Sequence, residues 1–215
     1  NFAANNLPGA LSVIAIAEKK NLFNAPETYM NKIATCKIEK GVIDLDYTIK
    51  KNLTNLADFK KKKISSLTVC LLDRPRHKKM IDELKDLDVN LKLISDGDVS
   101  GALLVTEERH NVDMFMGIGG GPEGVLAAAA LDTYGCFFQG KFIFNNEADI
   151  TRAKKMGIED LEKKYELNEI VSGDSIFCAT GITNGDLVNG IKILDNQYTS
   201  ETFVTHRNTG IKKVF

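Results

Sequence analysis

The chain has 215 residues, 43 % of them apolar and 27 % charged, with a formal net charge of −1 at pH 7. That length and apolar share suit one large domain or one and a half smaller ones. Near-neutrality excludes a general pull toward nucleic acid or anionic membrane, and the longest apolar run, residues 124–131, is far short of the roughly 20 residues that cross a bilayer.

The start, Asn-Phe-Ala-Ala-Asn-Asn, lacks the basic stretch and apolar stretch of a signal peptide. Residues 10–17 are apolar with β-branched side chains and predict a buried strand; residues 29–38 alternate and predict another. Ile49, Leu53 and Leu56 recur at helical spacing within 47–59, and the Lys60–63 run reads as cations at that helix's negative end rather than a binding patch. A regular alternation follows: strand 67–72, helix 76–87, strand 89–94, helix 99–106, strand 112–117, Ala-rich helix 122–134. This order calls for a parallel or mostly parallel sheet with helices on its faces. A charged helix over 147–156 precedes strands at 175–180, 191–194 and 198–206, the last two joined by a hairpin at Asp195-Asn196. Cys36, Cys70, Cys136 and Cys178 form no Cys-x-x-Cys and read as buried thiols of a reducing cytosol rather than staples or zinc ligands.

In open α/β sheets ligands bind where strands end and helices begin, and three such loops carry unusual residues. In Asp73-Arg74-Pro75-Arg76-His77, two guanidinium forks at a helix entrance suit phosphate, although both could be solvated loop cations. His77 could be an acid or base, with a structural first-turn histidine favoured. In Asp96-Gly97-Asp98, Asp98 would cap the next helix, which leaves Asp96 unexplained; the pair could instead hold sugar hydroxyls or a cation. In residues 117–124, Gly-Ile-Gly-Gly-Gly-Pro-Glu-Gly, glycines admit a ligand close to the backbone and free amides to face anions. Glu123 at the helix start either favours the dipole or binds a hard cation beside phosphate. The glycine spacing is not that of a dinucleotide site, and no acid follows about 20 residues on at a second strand's end.

Six ordered motifs, Leu7-Pro-Gly-Ala-Leu-Ser-Val-Ile-Ala, Asn24-Ala-Pro-Glu-Thr-Tyr-Met-Asn-Lys, Arg74-Pro-Arg-His, Asp96-Gly-Asp, the glycine loop, and Ala179-Thr-Gly-Ile-Thr-Asn-Gly-Asp, together resemble the class II fructose-1,6-bisphosphatases, the GlpX type within the lithium-sensitive phosphatase superfamily. The resemblance implies an α/β, layered αβα sugar-phosphatase fold. Residues 1–44 would be a remnant of a metal-binding first domain with part of its sheet, and 45–215 a substrate-binding domain with a mostly parallel sheet. It implies hydrolysis of the 1-phosphate of fructose 1,6-bisphosphate to fructose 6-phosphate in gluconeogenesis, with Mn2+ or Mg2+, in a cytoplasmic homo-oligomer. By motif position Tyr29, Arg74, Pro75, Arg76, Asp96, Gly97, Asp98 and Gly120 would contact the sugar bisphosphate, and Glu123 would ligate metal. Activity on sedoheptulose 1,7-bisphosphate, or on both sugars, is an alternative; a non-catalytic sugar-phosphate-binding module is another.

The family often has Lys where Arg74 stands, which keeps charge but alters geometry, and Ala where Gly121 stands. Its Asp-Pro-(Ile/Leu)-Glu-Gly-Thr motif, expected just before residue 10, does not occur. That motif carries metal carboxylates and a water-orienting Thr, so the catalytic groups are expected outside these 215 residues, which alone would be inactive. The absence of an initial Met and the ending Lys-Lys-Val-Phe are read as signs of missing sequence at both ends. Residues 180–186 either line the site or make a structural turn, with the turn favoured.

Overall fold

The larger of two main sheets is where the alternating centre of the chain goes, in a computed structural model that describes residues 2–215. The strands are β1 (Leu11–Ala17), β2 (Tyr29–Thr35), β3 (Thr68–Leu72), β4 (Asn90–Ile94), β5 (Met114–Gly120), β6 (Phe137–Ile143), β7 (Lys164–Glu166), β8 (Ser175–Gly181), β9 (Lys192–Leu194), β10 (Gln197–Thr199), β11 (Thr202–His206) and β12 (Ile211–Val214). The α-helices are α1 (Ile49–Lys60), α2 (Lys78–Asp86), α3 (Asp98–Leu103), α4 (Gly121–Asp132), α5 (Glu147–Lys155) and α6 (Leu167–Ile170). The larger sheet runs β4-β3-β5-β2-β6-β7. β3 is parallel to both β4 and β5, whereas β2 is antiparallel to β5 and β6, so β4, β3, β5 and β6 point the same way. The smaller sheet, β1-β8-β11-β12, is antiparallel throughout. Strands from both sides of residue 44 enter both sheets.

The layers follow from which faces are apolar. Leu53, Leu56 and Leu84 of α1 and α2 pack with Ile33 and Leu71 on one face of the larger sheet. On the other face, α3 and α4 pack with Phe115 and Phe138. The same cluster continues through α4 to Phe177, Ala179 and Phe203 of the smaller sheet. α4 is therefore covered on both sides, which explains an Ala-rich helix with no polar face and with Ala127, Ala128, Ala129 and Ala130 all buried. Local chemistry starts α1 and α5: Thr48 accepts a hydrogen bond from the Lys51 amide at 3.1 Å, and Asn146 from that of Asp149 at 2.9 Å.

The expected elements form, with shifted ends and some differences. β6 is absent from the sequence reading because Phe137-Phe-Gln-Gly-Lys has no clean two-residue alternation. The expected strand 198–206 is broken between β10 and β11. The hairpin turn does fall at Asp195 and Asn196, whose φ values of 47° and 63° suit a two-residue turn. The cysteine reading needs correction: Cys36 and Cys136 form a disulfide. Thr35 pairs with Phe137 at one end of the β2–β6 ladder, and the two cysteines are the next residues along it. A separation of 100 residues hides that register in the sequence. The cysteines therefore no longer argue for a reducing compartment. Cys70 is a buried thiol, its pKa pushed up to about 12 by desolvation.

The lysine run also has a specific role. Lys60 and Lys62 donate to Asp113 Oδ1 at 2.8 and 3.0 Å, and Asp113 Oδ2 accepts from the Thr68 amide at 2.9 Å. Asp113 thus ties the end of α1 to the starts of β3 and β5. Burial alone would raise its pKa, but the bonds from Lys60, the Thr68 amide and Lys62 prevail and hold it below the ordinary carboxylate range. Its contribution is present above about pH 4 and is lost as pH falls through the depressed native value. Asp113→Asn is expected to cost about 2 kcal/mol at pH 7, with the gap to wild type closing in acid. Urea unfolding at pH 7 and pH 3 measures this, and equal midpoints at pH 7 would refute it.

Candidate active site

Because β3, β4 and β5 are parallel, their carboxyl ends lie on one edge of the sheet and the three unusual loops converge there. They meet a fourth wall from the other sheet, the approach to β1. The resulting cleft of about 330 Å³ is lined by Arg76, Asp96, Gly97, Asp98, Gly120 and Glu123, with Gly9, Ala10, Leu11 and Val13 facing them. That size lies at the small end of ligand pockets. The 180–186 segment holds this fourth wall: Thr183 Oγ1 accepts from the Ala10 amide at 2.9 Å and donates to the Leu7 carbonyl at 2.6 Å, and the Gly9 amide donates to the Asn184 carbonyl at 2.8 Å.

Arg76 Nε donates to the Ile118 carbonyl at 2.8 Å, and its guanidinium lies 5.0 Å from the centre of the Tyr29 ring. These two contacts set the direction of a side chain that is otherwise exposed. Tyr29 does not line the cleft itself. It lines an adjoining hollow of about 460 Å³ that shares Gly120 and Glu123 with the cleft. Arg74 stands at the rim, its Nη2 3.5 Å from Asp96 Oδ1. Pro75 opens the short 3-10 turn Pro75–His77 and does not line the cleft. His77 is fully buried: its Nε2 accepts from the Ile118 amide at 2.8 Å, so Nδ1 carries the proton it gives to the Leu72 carbonyl at 2.7 Å. It staples the end of β3 to β5 and has no ring nitrogen left for a substrate.

Asp98 does not cap its helix. Gly97 takes the cap position with φ 90°, a left-handed conformation open to glycine, and Asp98 becomes the first helical residue. Its carboxylate turns to Lys32, whose ammonium bonds Oδ2. Sequence reading passed over Lys32 within the Asn24–Lys32 motif. The available signal was a lysine between Met30 and Ala34, on the face of β2 where an inward apolar residue belongs. Lys32 is 1 % exposed. Burial pushes its pKa down, against the pull of Asp98 and, more weakly, Glu123. Asp98 Oδ1 is buried and without a hydrogen-bond partner.

The glycine loop is built around these side chains. A Cβ on Gly119 would stand 2.1 Å from Asp98 Oδ2, and one on Gly120 1.9 Å from Glu123 Oε2. A Cβ on Gly124 would meet Met30 Sδ at 2.6 Å and Lys32 Cε at 3.1 Å. The loop is thus small first to admit the protein's own carboxylates and lysine. The Gly121 amide already donates to the Thr28 carbonyl at 2.7 Å and Pro122 has none, so the first-turn donor left by position is that of Glu123. Glu123 is exposed at the shared wall. Among the described residues no three potential ligands gather around a metal position.

Comparison with known proteins agrees with the motif pattern. The family described as bacterial fructose-1,6-bisphosphatase, glpX-encoded, matches residues 1–215. The chain is 39 % identical over 217 residues to a D-fructose 1,6-bisphosphatase class 2/sedoheptulose 1,7-bisphosphatase of Synechococcus sp. (strain JA-3-3Ab), covering 95 % of this chain and 62 % of that protein. A protein of the same description from Crocosphaera subtropica is 37 % identical, with 95 % and 63 % covered. One from Prochlorococcus marinus (strain NATL1A) is 38 % identical, with 89 % and 62 % covered. The chain thus spans less than two thirds of the length of these relatives.

The packing beneath the loop gives a direct test. Gly124→Ala is expected to destabilise the fold by about 2 kcal/mol, the usual cost of forcing a methyl group into a filled core. Denaturant midpoints measure it; an unchanged midpoint would mean that Met30 and Lys32 move aside freely.

Proposed function

The chain belongs to the glpX-encoded bacterial fructose-1,6-bisphosphatase family, and on that premise we propose that the protein hydrolyses the 1-phosphate of fructose 1,6-bisphosphate to give fructose 6-phosphate. The observation that carries this reading is the meeting of Arg76, Asp96, Asp98 and Glu123 beside the glycine loop in one cleft. It places cationic and hydroxyl-accepting groups within one small volume, as a phosphorylated sugar requires.

In this reading Arg76 holds phosphate charge, its remaining donors being suited to paired oxygens, while Tyr29 fixes its guanidinium from the side. Arg74 adds cationic charge at the rim. Asp96 and Asp98 accept hydrogen bonds from sugar hydroxyls, and the backbone of Gly97 and Gly120 closes around the substrate. Pro75 sets the turn that presents both arginines. Glu123 would be one oxygen ligand for a divalent cation, which would supply charge neutralisation and Lewis acidity at the phosphate; hard carboxylate ligands suit Mn2+ or Mg2+. One exposed carboxylate does not build such a centre, so these residues do not by themselves fit it. They form the substrate-holding wall of the site.

A heptulose bisphosphate is a second substrate reading, favoured by the dual names of the relatives. We extend the proposal to a role in gluconeogenesis, in the cytoplasm and as a homo-oligomer, for which the family resemblance is the support. Among the described residues no helix is long and apolar enough to cross a membrane.

Phosphate release from both sugar bisphosphates by the full-length protein, with Mn2+ or Mg2+ supplied, tests the reading. Glu123→Ala is expected to lower turnover by at least about 100-fold, in line with the cost of disturbing even the surroundings of a metal ligand; near-normal turnover removes Glu123 from the metal. Arg76→Ala is expected to act mainly by raising KM, and wild-type constants in that variant would remove Arg76 from the site.

A further inference from the structure

Behind Asp98, itself in the cleft wall, the structure holds a buried lysine that the proposed chemistry does not yet use. We infer that Lys32 is a positioning residue: it pins one oxygen of Asp98 so that the carboxylate is fixed at the cleft wall, with the other oxygen held as an acceptor for a substrate hydroxyl. This deepens the sugar-bisphosphate reading and rests on it.

Three observations carry the inference. Lys32 is 1 % exposed in the middle of β2, and its ammonium bonds Asp98 Oδ2. Replacing a buried ion pair by apolar residues of similar volume is often neutral or stabilising, so the fold alone gives little reason for a lysine there. Asp98 lines the cleft, and its second oxygen, Oδ1, is buried with no partner in the protein. A buried carboxylate oxygen left in that state requires a donor, and an ionised carboxylate can only accept. A sugar hydroxyl can supply that donor, whereas a fully ionised phosphate oxygen cannot.

The glycines beside the pair leave it room. Gly119 leaves room for Asp98 Oδ2, and Gly124 leaves room for the Lys32 stem. Gly119 is therefore sized to this ion pair, and Gly124 to Met30 together with the Lys32 stem. Since a sugar hydroxyl lies away from the reacting phosphate, the pair contributes to holding the substrate equally before and during reaction, and its loss belongs in KM rather than kcat.

Steady-state kinetics of the full-length protein on fructose 1,6-bisphosphate test this with wild type, Lys32→Met, Asp98→Asn and the double variant. KM is expected to rise about ten-fold or more in each single variant, the scale of one lost hydrogen bond to a charged group, with kcat held within about three-fold. The double variant is expected to match the single ones, because Lys32 acts through Asp98. Wild-type constants in Lys32→Met or in Asp98→Asn, a larger fall in kcat, or additive losses in the double variant overturn the inference. Should Lys32→Met not fold, the double variant, which leaves no orphan buried charge, is compared with Asp98→Asn. An equal KM supports the inference, and a further rise beyond about three-fold overturns it. Turnover by wild type with unaffected variants removes the inference alone. No turnover of either bisphosphate by wild type removes the reading of the site, and the inference with it.

Discussion

An ammonium group enclosed within a β-sheet needs a carboxylate beside it and space for its stem, because an unpaired charge taken out of water costs several kcal/mol even after relaxation. Lys32 imposes both requirements on its neighbours. The carboxylate is Asp98, so the loop before α3 has to deliver that residue inward, which it does by turning at Gly97 in a left-handed conformation. The space is made at Gly119 and Gly124. The shape of the junction between β5 and α4 is thus set from below by a buried ion pair.

The position of β2 makes this arrangement possible. It enters the larger sheet between β5 and β6, antiparallel to both, and so carries Tyr29 to the edge where β3, β4 and β5 end, with Lys32 three residues further in. One strand then supplies two supports for the same cleft: an aromatic ring beside Arg76 and a cation beneath Asp98. On the remaining side, α4 is held between two sheets, and it begins at the glycine loop. The smaller sheet is brought against that helix, so the start of β1 can face the loops of the larger one. Thr183 and Asn184 then lock that start in place. The cleft is the product of two sheets sharing one helix.

Much of this was legible in the residues themselves. The period-two and helical patterns marked most elements, since side chains that alternate between core and water record the geometry directly. Proline and glycine marked the entry to α4, and ordered motifs marked the loops carrying Arg76, Asp96, Asp98 and Glu123. Less legible were features created by pairing distant segments. The Cys36–Cys136 disulfide exists because β2 and β6 pair, and nothing local in either segment announces it. Asp98 looked like a helix cap because caps are local, whereas its actual partner lies 66 residues away.

What the sequence by itself determined was the α/β class, the loops where chemistry collects, and the residue types available there. These depend on short-range periodicity and on side-chain chemistry, which survive in one dimension. Only the tertiary structure decided which groups meet: that Arg76 rests on Tyr29, that His77 is spent on the backbone, and that Lys32 lies under Asp98. Those decisions follow from strand order and register, which are settled by burying the whole core at once rather than by any local run of residues.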